Sequence, residues 1–208
     1  MMEQHSEAWF KARVGKVTAS RIVDVMAKTK TGYSASRHNY LAQLVAERMT
    51  GQRQDSFSNA AMQWGTETEP MARATYEIDL QTFVTETGFH DHPSIAWTGA
   101  SPDGLIGKSG LIEIKCPNTA THIDYLLNQQ VPQKYLYQMM WQMDCTGREW
   151  CDFVSYDPRM PEKHQMLVRR INRDDNLIQE VRDEVLGFLN LVQTTIDKLD
   201  QLQDCSVS

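Results

Sequence analysis

The segment Ser101-Pro-Asp-Gly-Leu-Ile-Gly-Lys-Ser-Gly-Leu-Ile-Glu-Ile-Lys115 gathers the residue types that can hydrolyse a phosphodiester. Side chains alternate along a strand, so Glu113 and Lys115 share one face with Leu111, while Ile112 and Ile114 face a core on the other. The turn at Pro102-Asp103, followed by Gly107 and Gly110, lets the chain fold back and set Asp103 beside Glu113. Paired carboxylates suit a hard divalent cation such as Mg²⁺, which takes oxygen ligands and keeps several waters. Such an ion lowers the pKa of water and stabilises charge developing on a phosphate. Lys115 can orient the attacking water as an ammonium, or deprotonate it as a neutral amine where its own pKa shifts. The Ile114 carbonyl, between the two side chains, is placed as a further ligand. Glu-x-Lys alone is common, however, and the same string describes a surface hairpin with a Glu–Lys pair on its wet face. On pattern alone both readings stand.

The flanking elements must position these side chains. Residues 82–85 and 95–98 are short and rich in β-branched and aromatic residues, as strands are. Residues 111–115 form the next strand, ended by Pro117. Helical spacing resumes at 123–127 and 133–143, before strands at 151–156 and 165–170. Upstream, Thr18 and Ser20 offer hydroxyls to cap a short helix carrying Ile22, Val23, Val25 and Met26. Residues 29–36 are polar and contain Gly32, which predicts a mobile loop. Tyr40, Leu41, Leu44, Val45 and Arg48 mark a helix that stops at Gly51. Beyond the polar stretch 52–58, another helix runs through Trp64, Glu69, Met71 and Tyr76. A long amphipathic helix closes the chain from about 174 to 202. Its stripe of Leu177, Val181, Val185, Phe188, Val192, Ile196, Leu199 and Leu202 suits a core face better than a coiled-coil seam. The order of elements predicts an α/β or α+β architecture.

Composition narrows the class. A chain of 208 residues can bury one sizeable core, which predicts a single domain over 1–208. No run approaches the roughly 20 apolar residues of a membrane span. The start, Met1-Met2-Glu3-Gln4-His5, lacks the basic-then-apolar pattern of a secretory signal, so a cytoplasmic location is expected. Cys116, Cys145, Cys151 and Cys205 show neither a Cys-x-x-Cys pair nor zinc-ligand spacing, and read as reduced, buried thiols. His90-Asp91-His92, at a turn before Pro93, read as surface residues rather than a metal site. The net charge of −6 runs against phosphate neutralisation by overall charge. Binding depends on the local field of a cleft, though, and carboxylates that hold a metal count against the basic total.

Pro102-Asp103 with Glu113-Ile114-Lys115 resembles the signature of the PD-(D/E)xK nuclease superfamily. The fuller strings Ser101-Pro-Asp-Gly-Leu105 and Leu111-Ile-Glu-Ile-Lys-Cys-Pro117 are similar to the YqaJ-type viral recombinase family, the family of phage lambda exonuclease. The similarity extends to Trp9-Phe-Lys-Ala-Arg13-Val-Gly15, Thr18-Ala-Ser20, Trp64-Gly65 through Glu69, Tyr135 to Gln138, and Tyr156-Asp-Pro-Arg-Met160. It therefore covers nearly the whole chain in one order.

The resemblance implies a restriction-endonuclease-like α/β core, a central mixed sheet flanked by helices. It implies a Mg²⁺-dependent 5′→3′ exonuclease, with Mn²⁺ able to substitute, that digests linear double-stranded DNA from 5′-phosphorylated ends. The products would be 5′-mononucleotides and a 3′ single strand for an annealing protein. Metal ligands would be Asp103, Glu113, the Ile114 carbonyl and Glu69; Lys115 and Gln138 would complete the catalytic set. Arg13, Ser20 and Ser101 would hold the 5′-terminal phosphate, for which an Arg fork and hydroxyl donors are suited. A homotrimeric ring and a phage or prophage origin in a bacterial host are further implications. A family position that can carry Arg falls near Thr121 here, with His122 beside it. Two other readings are a PD-(D/E)xK endonuclease and a non-catalytic subunit that binds DNA ends.

Overall fold

The computed structural model describes residues 3–30, 32–54 and 60–204. In chain order the elements are α1 (Glu7–Arg13), β1 (Val17–Thr18), α2 (Ile22–Met26), β2 (Lys28–Thr29), β3 (Gly32–Tyr33), α3 (Ala35–Thr50) and α4 (Ala60–Leu80). Then come β4 (Val84–Thr85), β5 (His90–Asp91), β6 (Thr98–Ala100), β7 (Gly104–Ile106), β8 (Gly110–Lys115), α5 (Thr119–Asn128), α6 (Gln133–Thr146), β9 (Trp150–Tyr156), β10 (Met166–Asn172) and α7 (Asp175–Asp204).

A five-stranded mixed sheet in the order β10-β9-β8-β7-β4 forms the frame. Within this sheet, among the described residues, only the β8–β9 pair is parallel, and the chain between them runs through α5 and α6. A smaller sheet, β1-β6-β5, stands beside it. Helices cover both faces of β8. Ala72 and Tyr76 of α4 pack with Ile112 and Ile114 on one side. Met139, Met140 and Met143 of α6 pack with Leu111 and Phe153 on the other. Both faces of the strand are therefore dry, so the surface-hairpin alternative is excluded. A third apolar cluster joins α2, α3 and α7 to Trp141 of α6.

Local chemistry explains several boundaries. The Ser34 side chain caps α3 by accepting the Arg37 N–H at 3.3 Å, and Gly51 ends the helix in the left-handed region at φ 67°. Gly147, at φ 66°, ends α6 in the same way. The tight passage of β7 between β4 and β8 requires Gly104. A Cβ there would sit 2.1 Å from Val84 Cγ1 and 3.1 Å from Ile112 Cγ2.

The structure corrects several expectations. The expected loop at 29–36 is replaced, among the described residues, by paired strands and a helix start: β2 pairs with β3, and α3 starts at Ala35. Residues 95–97 form a turn with Trp97 at φ 64°, and the strand starts only at Thr98. The β-branched and aromatic content of this segment reflected contacts with neighbours, not extended backbone. Thr18 makes no side-chain cap; it belongs to β1. His92 is buried rather than exposed, because its Nε2 meets Asp144 Oδ2 at 2.9 Å. Val181, Val185, Phe188 and Val192 of the closing stripe reach the core, whereas Leu199 and Leu202 project beyond it and are exposed. Cys116, Cys145 and Cys151 are free and buried as expected. Cys205 and residues 55–58 of the polar stretch lie outside the described residues.

Candidate active site

The register of the β7–β8 hairpin, with Gly104 opposite Ile112, brings Asp103 to the level of Glu113. Asp103 Oδ2 then accepts the backbone N–H of Ile114 at 2.7 Å. Glu113 lies on the α6 face of β8 and has no solvent exposure. Its two carboxylate oxygens are taken by different donors: Gln138 Nε2 reaches Oε1 at 2.6 Å, and Gln142 Nε2 reaches Oε2 at 2.5 Å. Lys115 forms an ion pair with Glu113, and its ammonium lies 5.2 Å from the centre of the Tyr135 ring.

Glu69 approaches from α4. Its Oε1 pairs with Arg73 at 2.9 Å, and Arg73 also pairs with Glu86. Glu69 and Asp103 line one cavity of about 200 Å³, closed on another side by Gln4 and His5. Gln4 bridges this wall, donating to the carbonyls of Thr87 at 3.0 Å and Pro102 at 2.8 Å.

The electrostatics mark this as a place short of positive charge. Burial raises the Asp103 carboxyl well above its ordinary range, and the charges of Glu113 and Glu69 raise it further. Burial also raises Glu69, against the pull of Arg73. Burial opposes the Lys115 charge, but Glu113 and Asp103 outweigh it and hold that pKa above its usual value. Among the described residues, no three His, Cys, Asp or Glu side chains converge on one point as they stand. Glu113 is turned toward its amides and Glu69 toward Arg73. The donor set nevertheless fits a hard cation: the buried Glu113 and the half-buried Asp103 and Glu69 crowd negative charge that a divalent ion would relieve, and all their donor atoms are oxygen.

A second cavity, of about 250 Å³, is lined by Arg13, Lys16, Ser20, Arg21 and Arg53, among others. Arg13 stacks on Trp9, its guanidinium carbon 4.0 Å from the ring centre. Ser101 Oγ accepts from Trp9 Nε1 at 2.9 Å and from Arg13 Nη1 at 3.1 Å. Burial lowers the Arg13 pKa to about 10. Arg13 and Ser101 thus meet directly. Ser20 reaches the same cavity without touching either; its Oγ lies 3.5 Å from Thr18 Oγ1. Ser101, two residues before Asp103, touches Trp9 and Arg13 from behind, and those two residues line the cavity. His122, beside Thr121, is buried between Ser155 and the His164 carbonyl; its ring is occupied inside the protein.

Sequence reasoning missed Gln142, although its position four residues after Gln138 puts both on one helix face. It also missed the cations Lys16, Arg21 and Arg53, which come together only through the fold.

The sequence matches the model of the YqaJ-like viral recombinase domain over residues 8–149. The chain belongs to that family. Among solved structures, the alkaline exonuclease LHK-Exo from Laribacter hongkongensis is 52% identical, with a TM-score of 0.90 over 98% of this chain and 100% of that one. A crystal structure of LHK-Exo in complex with dAMP matches at 53% identity, with the same TM-score and coverage. A phage-related exonuclease from Haemophilus somnus 129PT, 15% identical, shares the fold at a TM-score of 0.73, covering 88% of this chain and 96% of that one. Curated proteins give no match. The fold of this YqaJ-like chain is of the PD-(D/E)xK type, and its family membership supports a nuclease function. Nucleases of this type generally use divalent metals. Among the described residues, no helix is long and apolar enough to cross a membrane.

Proposed function

We propose that this chain is a Mg²⁺-dependent 5′→3′ exonuclease. It digests linear double-stranded DNA from 5′-phosphorylated ends, releases 5′-mononucleotides and leaves a 3′ single strand for phage-type single-strand-annealing recombination. The observation that carries this reading is the segment 101–103: Asp103 stands beside Glu113 and Glu69, and Ser101 touches Arg13, which lines a cavity rich in cations. One side offers chemistry on a phosphodiester and the other recognition of a terminal phosphate. The crystal structure of LHK-Exo with dAMP, a mononucleotide, supports the product class.

Asp103, Glu113, the Ile114 carbonyl and Glu69 are the proposed metal ligands. A bound Mg²⁺ (or Mn²⁺) supplies Lewis-acid stabilisation of charge on the phosphate and a more acidic water. Lys115 and Gln138, both in contact with Glu113, orient the attacking water in line with the scissile bond. Arg13 presents a planar fork to the 5′ phosphate, with Ser20 and Ser101 adding hydroxyl donors. The buried Trp9 face holds the guanidinium flat, so little freedom is lost on binding. The cation-lined cavity supports this reading despite the net charge of −6, since attraction of an anionic polymer depends on the local field.

The same reading takes residues 1–208 as one nuclease domain, working in the cytoplasm of a bacterial host. It takes a homotrimeric ring as the assembly, which would tether the enzyme to its substrate, and a single-strand annealing protein as partner. A solution mass equal to one 23.9 kDa subunit at micromolar concentration would remove the ring from the proposal.

The deciding experiment digests linear duplexes bearing 5′-phosphate or 5′-hydroxyl ends, with and without Mg²⁺. The expected result is metal-dependent mononucleotide release from the 5′ strand, faster with phosphate. Cutting of covalently closed circles would indicate an endonuclease instead. End binding without nucleotide release in Mg²⁺ or Mn²⁺ would indicate a non-catalytic subunit.

A further inference from the structure

Glu113 is gripped by two amides, and they differ in what else they can reach. Gln138 and Gln142 leave the same face of α6, one turn apart. Each donates to a different oxygen of the Glu113 carboxylate, at 2.6 and 2.5 Å. Gln138 retains 9% of its exposure, whereas Gln142 retains none. Gln142 is too deep to touch DNA. Its amide oxygen is buried without a hydrogen-bond partner among the described residues. Fully buried polar atoms normally find partners, and leaving one orphaned costs stability. A side chain needed only to fill the space under α6 could be apolar and carry no such penalty. The amide nitrogen, by contrast, is committed to Glu113.

The choice of an amide matters as well. The Lys115 ammonium pairs with Glu113 and offsets its charge. Two neutral amides restrain both oxygens and bring no charge of their own to compete with a cation. Groups that hold a metal ligand from behind govern affinity by fixing its orientation.

We propose that Gln142 is a positioning residue, which sets the rotation of the Glu113 carboxylate for divalent-cation binding. This inference rests on the reading of Glu113 as a metal ligand. It assigns Gln142 no contact with DNA.

The test titrates Mn²⁺ into the full, DNA-free chain and follows the free ion by electron paramagnetic resonance. The variants are Gln142→Met, which keeps the volume, and Gln142→Asn, which keeps an amide but withdraws it by one methylene. Both are expected to weaken Mn²⁺ binding by about tenfold. If Gln142→Met fails to fold, Gln142→Asn carries the comparison. Parent-like Mn²⁺ affinity in the variants, with only a lowered melting temperature, would mean a merely structural role and overturn the inference. Asp103→Asn separates the two layers of the argument. If the unmutated chain binds no Mn²⁺ that Asp103→Asn removes, the metal-ligand reading falls and this inference with it. If Asp103→Asn abolishes binding while both Gln142 variants retain it in full, this inference alone is wrong.

Discussion

Asp103 is bonded to the backbone of Ile114, its Oδ2 accepting that N–H at 2.7 Å. Ile114 stands between Glu113 and Lys115. A single hydrogen bond thus ties the turn residue to the stretch of β8 that presents the other two side chains. Their mutual placement follows from backbone geometry, before any ligand arrives. With the backbone fixed in this way, only side-chain rotation is left to bring the carboxylates together around a cation.

Lys115→Ala should remove the ammonium while leaving this backbone tie intact. Nucleotide release from linear duplex is expected to fall by at least about 10²-fold, the scale of losing one positioned charge or donor. Binding of the duplex end, measured by gel shift without metal, should be largely retained. Digestion at the parental rate would refute the role given to Lys115.

Arg13→Ala should erase discrimination between 5′-phosphate and 5′-hydroxyl ends. A hydrogen bond to a charged group contributes about 1.5–3 kcal/mol, so the preference should drop by roughly 10- to 100-fold. Arg13→Lys should recover little of it, since an ammonium has neither the fork nor the flat face that lies on Trp9. An unchanged preference in Arg13→Ala would place phosphate recognition elsewhere.

Acid should loosen the fold through Asp144 and Asp157, two carboxylates outside the proposed metal-ligand set. Burial alone raises the Asp144 carboxyl, but hydrogen bonds from Arg182, with His92 and Arg173, outweigh it and hold the pKa at about 2. Asp157 is held at about 2 in the same manner by Arg159 and Thr119. A carboxyl whose folded pKa lies below its unfolded value stabilises the fold above the unfolded pKa, near 4, and loses that contribution as the pH falls toward 2. The melting temperature should therefore drop between pH 4.5 and 2.5. The drop should be smaller in Asp144→Asn, although that variant starts lower. An identical slope in both proteins would contradict the assignment.

Gly104→Ala tests the hairpin that delivers Asp103. The added methyl meets Val84 Cγ1 at 2.1 Å, so β4 or β7 must shift. Overpacking of this sort costs about 1–3 kcal/mol. The urea midpoint should fall accordingly, and nucleotide release should fall by more than the loss of folded protein explains. A variant with parental midpoint and rate would show that the passage has slack.

Much of the site was legible because chemistry and spacing coincide there. A Pro-Asp turn and a Glu-x-Lys strand leave few ways to fold back, and the alternation along 111–115 placed Glu113 and Lys115 on one face. The helix end at Gly51 was equally readable, since it needs a left-handed residue. What escaped was set by distant partners. His92 looks like a surface residue until Asp144, from α6, is brought against it. Trp97 belongs to a strand by composition, yet its backbone is held in a turn. Lys16, Arg21 and Arg53 converge on one cavity from three separate segments.

The burial of β8 on both faces has a consequence for how this protein fails. Strands packed between helices and between neighbouring strands are the last parts of a domain to open. Glu113 sits on such a strand, and Asp103 is tied to it. Amide exchange at Ile114 should be among the slowest in the chain, and should speed up only with global unfolding. Heat inactivation and loss of the fold should then follow one curve, with no earlier stage in which an intact protein has lost its site.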